Sequence, residues 1–211
     1  SGAVDLSDAV TILSFLFLGN PAQLVPLCET QGSSGLPDTG QTKCYRVSGE
    51  EFDCGGFLPL TCPFQGQDAR LDTGCPNDAN RFVRNGDRTV TDTCTGLMWQ
   101  EDTEDKNGDG LYTFLDLLTW CDALAYCDNL SFAGHVDWRL PNFRELQSIV
   151  NYGRFNLAID PVFGAVAAAY WSSTSYAVSP GFAWLVVFDD GNVLLDKKGA
   201  GFHVRAVRSG P

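Results

Sequence analysis

The run Asp105-Lys-Asn-Gly-Asp-Gly-Leu-Tyr-Thr-Phe-Leu-Asp116 places Asp105, Asn107 and Asp109 at loop positions one, three and five, Gly110 at six and Asp116 at twelve. Oxygen-bearing side chains at alternate positions, a glycine for the sharp turn and a closing carboxylate make up the spacing of an EF-hand-type calcium loop. Leu111 at position seven would add a backbone carbonyl, and Thr113 at position nine a hydroxyl or a bridging water. The expected metal ligands are therefore Asp105, Asn107, Asp109, Leu111, Thr113 and Asp116, and the expected cofactor is Ca2+. The ion is expected to be structural, stapling a long connection, rather than a switch or a catalyst. Asn-Gly-Asp-Gly is also ordinary turn chemistry, but the match at every diagnostic position favours calcium over a solvated acidic turn. A partial echo, Ser1-Gly-Ala-Val-Asp-Leu-Ser-Asp8, reads as positions five to twelve of the same kind of loop.

Other chemistry is sparse. The eight cysteines are Cys28, Cys44, Cys54, Cys62, Cys75, Cys94, Cys121 and Cys127. An even count in Gly/Pro/Asp-rich sequence points to disulfides and an oxidising compartment. Zinc is not expected, because no Cys-x-x-Cys occurs and neither His135 nor His203 has ligand-like spacing to a cysteine. Both histidines also lack a Ser or Cys partner in any nucleophile motif. The 26 acidic residues single out no carboxylate pair for glycoside hydrolysis, so no catalytic residue is assigned and the chain is expected not to be an enzyme. Trp138, Trp171 and Trp184 could stack on sugar rings, but their places inside strand-like segments favour core packing.

These groups sit in a chain of 211 residues, 44% hydrophobic, with a net charge of -12. That length accommodates one good-sized domain with a small appendage. The acidic balance argues against nucleic acid, since nothing would neutralise its phosphates. No signal peptide is apparent, which reads as a mature product or a fragment. Ala9–Leu18 is too short for a membrane span. It is apolar nearly all round and stopped by Gly19-Asn20-Pro21, so it reads as a helix that needs a partner surface.

Three segments follow: 1–27, the half-loop and apolar helix; 28–79, a cysteine-rich irregular region; and 80–211, the main domain. In the second, Cys44 with Cys54 and Cys62 with Cys75 would close short loops, each contributing about 3 kcal/mol by restricting the unfolded chain. In the third, Arg81–Arg84 and Thr89–Asp92 form a hairpin around Asn85-Gly-Asp87 and lead into Leu97–Gln100. The calcium loop then feeds a helix from about Phe114 to Leu130, with Leu117, Leu118, Cys121, Leu124, Ala125 and Leu130 as its apolar face. Cys121 and Cys127 point different ways on that helix and should not pair together; one of them is expected to join Cys94. Asn142 caps a second helix, Phe143–Val150, with Glu145 completing a capping box. Arg139 and Glu145 would form a buried structural pair. Tyr170–Thr174 starts a strand, Asp189-Asp-Gly191 turns a hairpin, and His203–Arg208 closes the chain as an alternating strand.

Several blocks together resemble a known family: Thr89-Val-Thr-Asp92, Thr95-Gly-Leu-Met-Trp99, Ala123-Leu-Ala-Tyr-Cys127, Asp137-Trp-Arg-Leu-Pro141, Arg144-Glu-Leu146, Tyr170-Trp-Ser-Ser-Thr174, Ala183-Trp184 and Val204-Arg-Ala-Val-Arg208. Their order and spacing are similar to the C-terminal domain of the Legionella collagen-like adhesin. The Trp-Arg-Leu-Pro block and the Val-Arg ending also resemble C-type-lectin and formylglycine-generating-enzyme folds. Residues 1–27 resemble half of a dockerin type I repeat, and the Asp at position twelve of the second loop is closer to dockerin loops than to sensor EF-hands. The resemblance implies an α+β, C-type-lectin-like domain with two helices, short antiparallel strands, a disulfide-stapled irregular region and an N-terminal helix. It implies a secreted or surface-displayed protein, and in the adhesin it goes with sulfated glycosaminoglycan binding and trimers. This chain departs at Ala206, where the family often has cysteine, leaving Cys94 or Cys121 to supply a substitute bridge. It also departs in charge. Sulfated polymers need a basic groove, and only Arg139, Arg144, Arg154, Lys197, Lys198, Arg205 and Arg208 stand nearby.

The function expected is a calcium-stabilised, non-enzymatic adhesion module at the cell surface, with a carbohydrate or protein ligand whose site residues the sequence does not name. The alternative is a structural subunit of a self-assembling extracellular filament or surface layer, joined to copies of itself through the N-terminal helix.

Overall fold

The computed structural model describes residues 37–45, 51–52, 74–75 and 80–210. The chain divides into two units, Ser1–Gly32 and Ser33–Pro211; the fold below belongs to the second. The half-loop at Ser1–Asp8, the apolar run Ala9–Leu18 and Cys28, Cys54 and Cys62 lie outside the described residues.

Three antiparallel sheets carry the described chain. A short ladder pairs β1 (Cys44–Tyr45) with β2 (Glu51–Phe52). The second sheet has the order β3 (Phe82–Arg84), β4 (Thr89–Asp92), β5 (Leu97–Gln100), β9 (Val207–Ser209). The third joins β6 (Ala169–Ser175), β7 (Phe182–Val187) and β8 (Val193–Lys197). With helices α1 (Trp120–Asp128) and α2 (Phe143–Ser148), this is the α+β, lectin-like class expected.

The local signals appear where the sequence puts them. Val83 faces Thr91 across the first hairpin, and Gly86 takes the left-handed backbone that its turn needs (φ 83°). Asn142 caps α2 by accepting from the amides of Arg144 (2.9 Å) and Glu145 (3.0 Å), while Glu145 accepts from the Asn142 amide at 2.8 Å. Arg139 and Glu145 meet in a fork, both bonds 2.7 Å. The pair is not buried as expected: the side chains are 40% and 19% exposed, so it clamps the turn from the surface.

The single expected helix Phe114–Leu130 is divided. Phe114–Asp116 is one 3-10 turn, Leu117–Thr119 is extended, and α1 begins only at Trp120, capped by Thr119. The cause is long-range. Leu118 exchanges amide–carbonyl bonds with Phe202 (3.0 Å each way), and its carbonyl accepts the Trp171 indole N–H at 2.8 Å. A helical Leu118 would forfeit all of these. The inner face of α1 changes accordingly. Ala123 and Cys127 are buried with Trp120 and Leu124 packed beside them, and Cys121 and Ala125 face outward.

Two of the expected bridges are corrected, while the Cys44–Cys54 pairing involves Cys54, which lies outside the described residues. Cys75 bonds Cys94, not Cys62, and ties the irregular region to the turn after β4. Cys44 is also bridged. Cys121 and Cys127 are free thiols, the first exposed and the second buried, so neither reaches Cys94 or substitutes for a cysteine at position 206. Ala206 itself is fully buried and needs no bridge.

Two core clusters meet along β5. Trp99 sits among Phe82, Val90, Leu146, Tyr170 and Phe188, while Met98 sits among Trp138, Trp171, Leu185 and Val204. Successive strand residues point to opposite faces, so one strand feeds both. The closing segment does not alternate as expected, because His203 through Arg208 are all buried. Only Val207 to Ser209 form a strand; the residues before it bridge Tyr170 and bond the β5 side. Two buried arginines complete the framework. Arg81 forks onto Asp92 (3.1 and 3.0 Å) and the Ser148 carbonyl (2.7 Å). Arg205 donates to the carbonyls of Gln100 and Glu101 (2.6 Å each) and Gly164 (2.8 Å), pinning the exit of β5.

Candidate functional site

The loop Asp105–Asp116 leaves β5 through Glu101–Glu104 and ends at the 3-10 turn, so the strand and the Leu118–Phe202 pairing fix its two ends. Between them the side chains fold back onto the loop's own amides. Asp105 accepts from Gly108 (2.8 Å) and Gly110 (2.7 Å). Asn107 accepts from Asp109 at 3.0 Å, and Asp109 from Leu111 at 2.8 Å. Asp116 accepts from the amide of Thr113 (2.7 Å) and, across the loop, from that of Asn107 (3.4 Å). Gly108 and Gly110 take φ values of 73° and 78°, the left-handed backbone that lets the loop wrap around Asp105.

Of the six expected ligands, Asp116 is sealed from solvent, Asp105 and Thr113 are half-buried, and Asn107, Asp109 and Leu111 are exposed. The Thr113 amide, and then that of Asn107, hold the Asp116 carboxyl below its ordinary range against the opposing effect of burial. Among the described residues no three His, Cys, Asp or Glu side chains converge as a metal cluster. The donor set is nonetheless entirely oxygen, which suits a hard cation. Each oxygen that accepts an amide keeps a further lone pair.

The loop also forms one wall of a cavity of about 380 Å³. Asp105 and Gly108 line it from the loop, Arg88, Gln100 and Asp102 from the β4–β5 side, and Tyr126 and Phe132 from α1 and the turn beyond. Gln100 is locked: its Oε1 accepts from the Ala206 amide and its Nε2 donates to the Tyr126 hydroxyl, both at 2.7 Å. Glu104 lies near Tyr126, and burial pushes its carboxyl up, with Tyr126 opposing. Burial likewise pushes the Tyr126 phenol up. Arg88 pairs with Asp102 at 3.2 Å and lies over the Phe132 ring at 5.8 Å. Apart from Asp105 and Gly108 of the loop motif, and Tyr126 within a family block, these wall residues carry no signal in motif or spacing. Nothing in a sequence announces that Arg88 adopts a left-handed backbone (φ 67°), nor that five separate segments meet.

The other candidates resolve differently. Trp138 and Trp171 are buried core residues, whereas Trp184 is half-buried, stacked on Phe143 (5.4 Å) and edge-on to Tyr176 (5.7 Å). His203 is buried beside Tyr170, and burial lowers its pKa, which favours the neutral ring. His135 pairs through its backbone with Phe132. Of the seven basic residues singled out for a sulfated polymer, Arg144, Arg154 and Lys197 are exposed, and the other four are engaged or buried. Arg139 and Arg208 are tied to Glu145 and Asp137, and Arg205 is fully buried. Lys198 lies on the Trp120 ring at 3.7 Å and donates to Ser175.

No curated protein matches this chain. The blocks that resemble the adhesin domain also carry the framework. Trp99 and Trp171 build the two cores, Arg139 and Glu145 clamp α2, and the Val-Arg ending closes the β5 sheet. Residues 88–208 match the model of the Lcl C-terminal domain, and the chain thus belongs to that family, a non-enzymatic adhesin domain of the extracellular or cell-surface space.

Proposed function

We propose that this chain is a calcium-stabilised surface-adhesion module that holds a carbohydrate or protein ligand through the face carrying the Asp105–Asp116 loop. The observation that carries the reading is that this loop, with Asp105 and Asp116 folded back onto its own amides, is itself a wall of the 380 Å³ cavity. Asp105, Asn107, Asp109, Thr113, Asp116 and the Leu111 carbonyl would hold the ion. Its chemistry there is to offset the mutual repulsion of three carboxylates and so fix the loop. Calcium would thereby act on ligand binding indirectly, by ordering one wall of the cavity. The ion-paired and buried arginines described above make sulfated polymers a poor match. The test is binding to an immobilised panel of glycans and matrix proteins, in calcium and in chelator. Binding that falls on chelation supports the reading, and a blank panel in both conditions would count decisively against it.

A further inference from the structure

We infer that the cavity beside the Asp105–Asp116 loop receives a neutral, hydroxyl-rich sugar ring. This deepens the adhesion reading and rests on it. A volume of about 380 Å³ falls in the range of small-ligand sites. Its walls combine two kinds of surface. Phe132 lines the cavity with its ring tilted against Trp138 at 5.8 Å and Arg88 over it at 5.8 Å, and Tyr126 adds a second aromatic wall. A sugar ring has an apolar C–H face that stacks on such a surface, and a rim of hydroxyls that must then find polar partners.

The cavity supplies those partners in fixed positions. Gln100 is 6% exposed, and its amide is immobilised at both ends by Ala206 and Tyr126. One Nε2 hydrogen is used by Tyr126, which leaves the other as a donor. Asp102 and Glu104 are acceptors, and Arg88 brings further N–H groups. A locked polar group loses little freedom when a ligand arrives, which is what a preorganised site requires.

The charge pattern decides the class of ligand. Arg88, the cationic residue of this lining, is already paired with Asp102, so sulfate, phosphate and uronate groups find no free counter-charge beside the carboxylates of Asp102 and Glu104. Nor is the lining a second cation site: Asp102 is paired with Arg88 at 3.2 Å, and Asp105 belongs to the loop that would hold the calcium ion. What remains is a set of partly used acceptors and donors, suited to neutral hydroxyls.

The experiment is saturation-transfer NMR on the whole chain in calcium, with the methyl glycosides of glucose, galactose and mannose as probes and a heparin disaccharide as the anionic competitor. At least one methyl glycoside should bind, and the heparin disaccharide should not displace it. Phe132→Ala and Glu104→Gln should each weaken that binding about tenfold, the factor expected for losing a stacking face or a charged acceptor. Glu104→Gln is isosteric, so it decides the matter if Phe132→Ala does not fold. The inference is overturned if no methyl glycoside binds, if the heparin disaccharide displaces it, or if the folded variants bind as tightly as the parent. Calcium-dependent panel binding that survives in those variants would sink the sugar pocket and leave the adhesion reading standing.

Discussion

Asp105→Asn separates what the loop contributes by itself from what an ion would add. In the folded chain the Asp105 carboxylate accepts two amides, Gly108 at 2.8 Å and Gly110 at 2.7 Å. Asparagine keeps one oxygen and loses the charge, so one charge-assisted bond at a partly exposed site is lost, about 1 kcal/mol. For a domain of this size that lowers the melting temperature by roughly 2–4 °C, and this is the whole effect expected in chelator. Calcium binding to the folded state alone adds about 2.7 kcal/mol when the free ion is a hundredfold above its dissociation constant. The parent should therefore melt roughly 5–11 °C higher in calcium than in chelator. The variant lacks the carboxylate at position one and should lose nearly all of that rise, so the gap between the two proteins widens in calcium. Paired calorimetric scans of both proteins, with and without calcium, read every quantity. If the parent melts at one temperature in both buffers, or if Asp105→Asn gains the full rise, the loop is not a calcium site.

Three further outcomes follow from the framework. Arg81→Met strands Asp92 in a site where the two side chains are 1% and 0% exposed, and should cost about 3–5 kcal/mol in denaturant unfolding; Arg81→Met combined with Asp92→Leu should recover part of that, and no recovery would mean the pair is not the source of the loss. Burial pushes the Glu145 carboxyl up, but the Arg139 fork and the Asn142 amide outweigh it and leave the carboxyl below its ordinary value. The stability it supplies is thus fully present above the unfolded pKa of about 4.3 and is lost as pH falls through the lower folded value. Melting curves of parent and Glu145→Gln should differ by a constant amount near neutral pH and converge in acid, and a difference that grows in acid would reverse the sign. Alkylation followed by mass spectrometry should label Cys121 in the native chain and Cys127 only after unfolding, since one thiol is exposed and the other buried with its pKa pushed up; equal labelling of both would contradict the placement of α1.

Much of the main domain is legible residue by residue. The Asn142–Glu145 capping box, the glycine turns at Gly86 and Gly191 and the strands around them rest on contacts between neighbours in sequence. The division of the helix at Leu118 is not legible that way. Phe114 to Leu130 has helical periodicity, and the helix breaks only because Phe202 and Trp171 offer Leu118 partners from far along the chain. The cysteines show the same limit. Which ones pair depends on which Cα atoms approach, and Cys94 finds Cys75 rather than a cysteine of α1.

The candidate site divides along the same line. Spacing alone marks Asp105 to Asp116 as a candidate calcium loop, because the requirement is local: alternating side chains and glycines free to adopt positive φ. Folding alone brings Arg88, Gln100, Tyr126 and Phe132 against that loop and makes a cavity of it. These residues stand 12, 26 and 6 positions apart in turn, and no periodicity links them. Burial of two shared cores, and the satisfaction of Arg205 and Gln100 by distant backbone, set their relative positions.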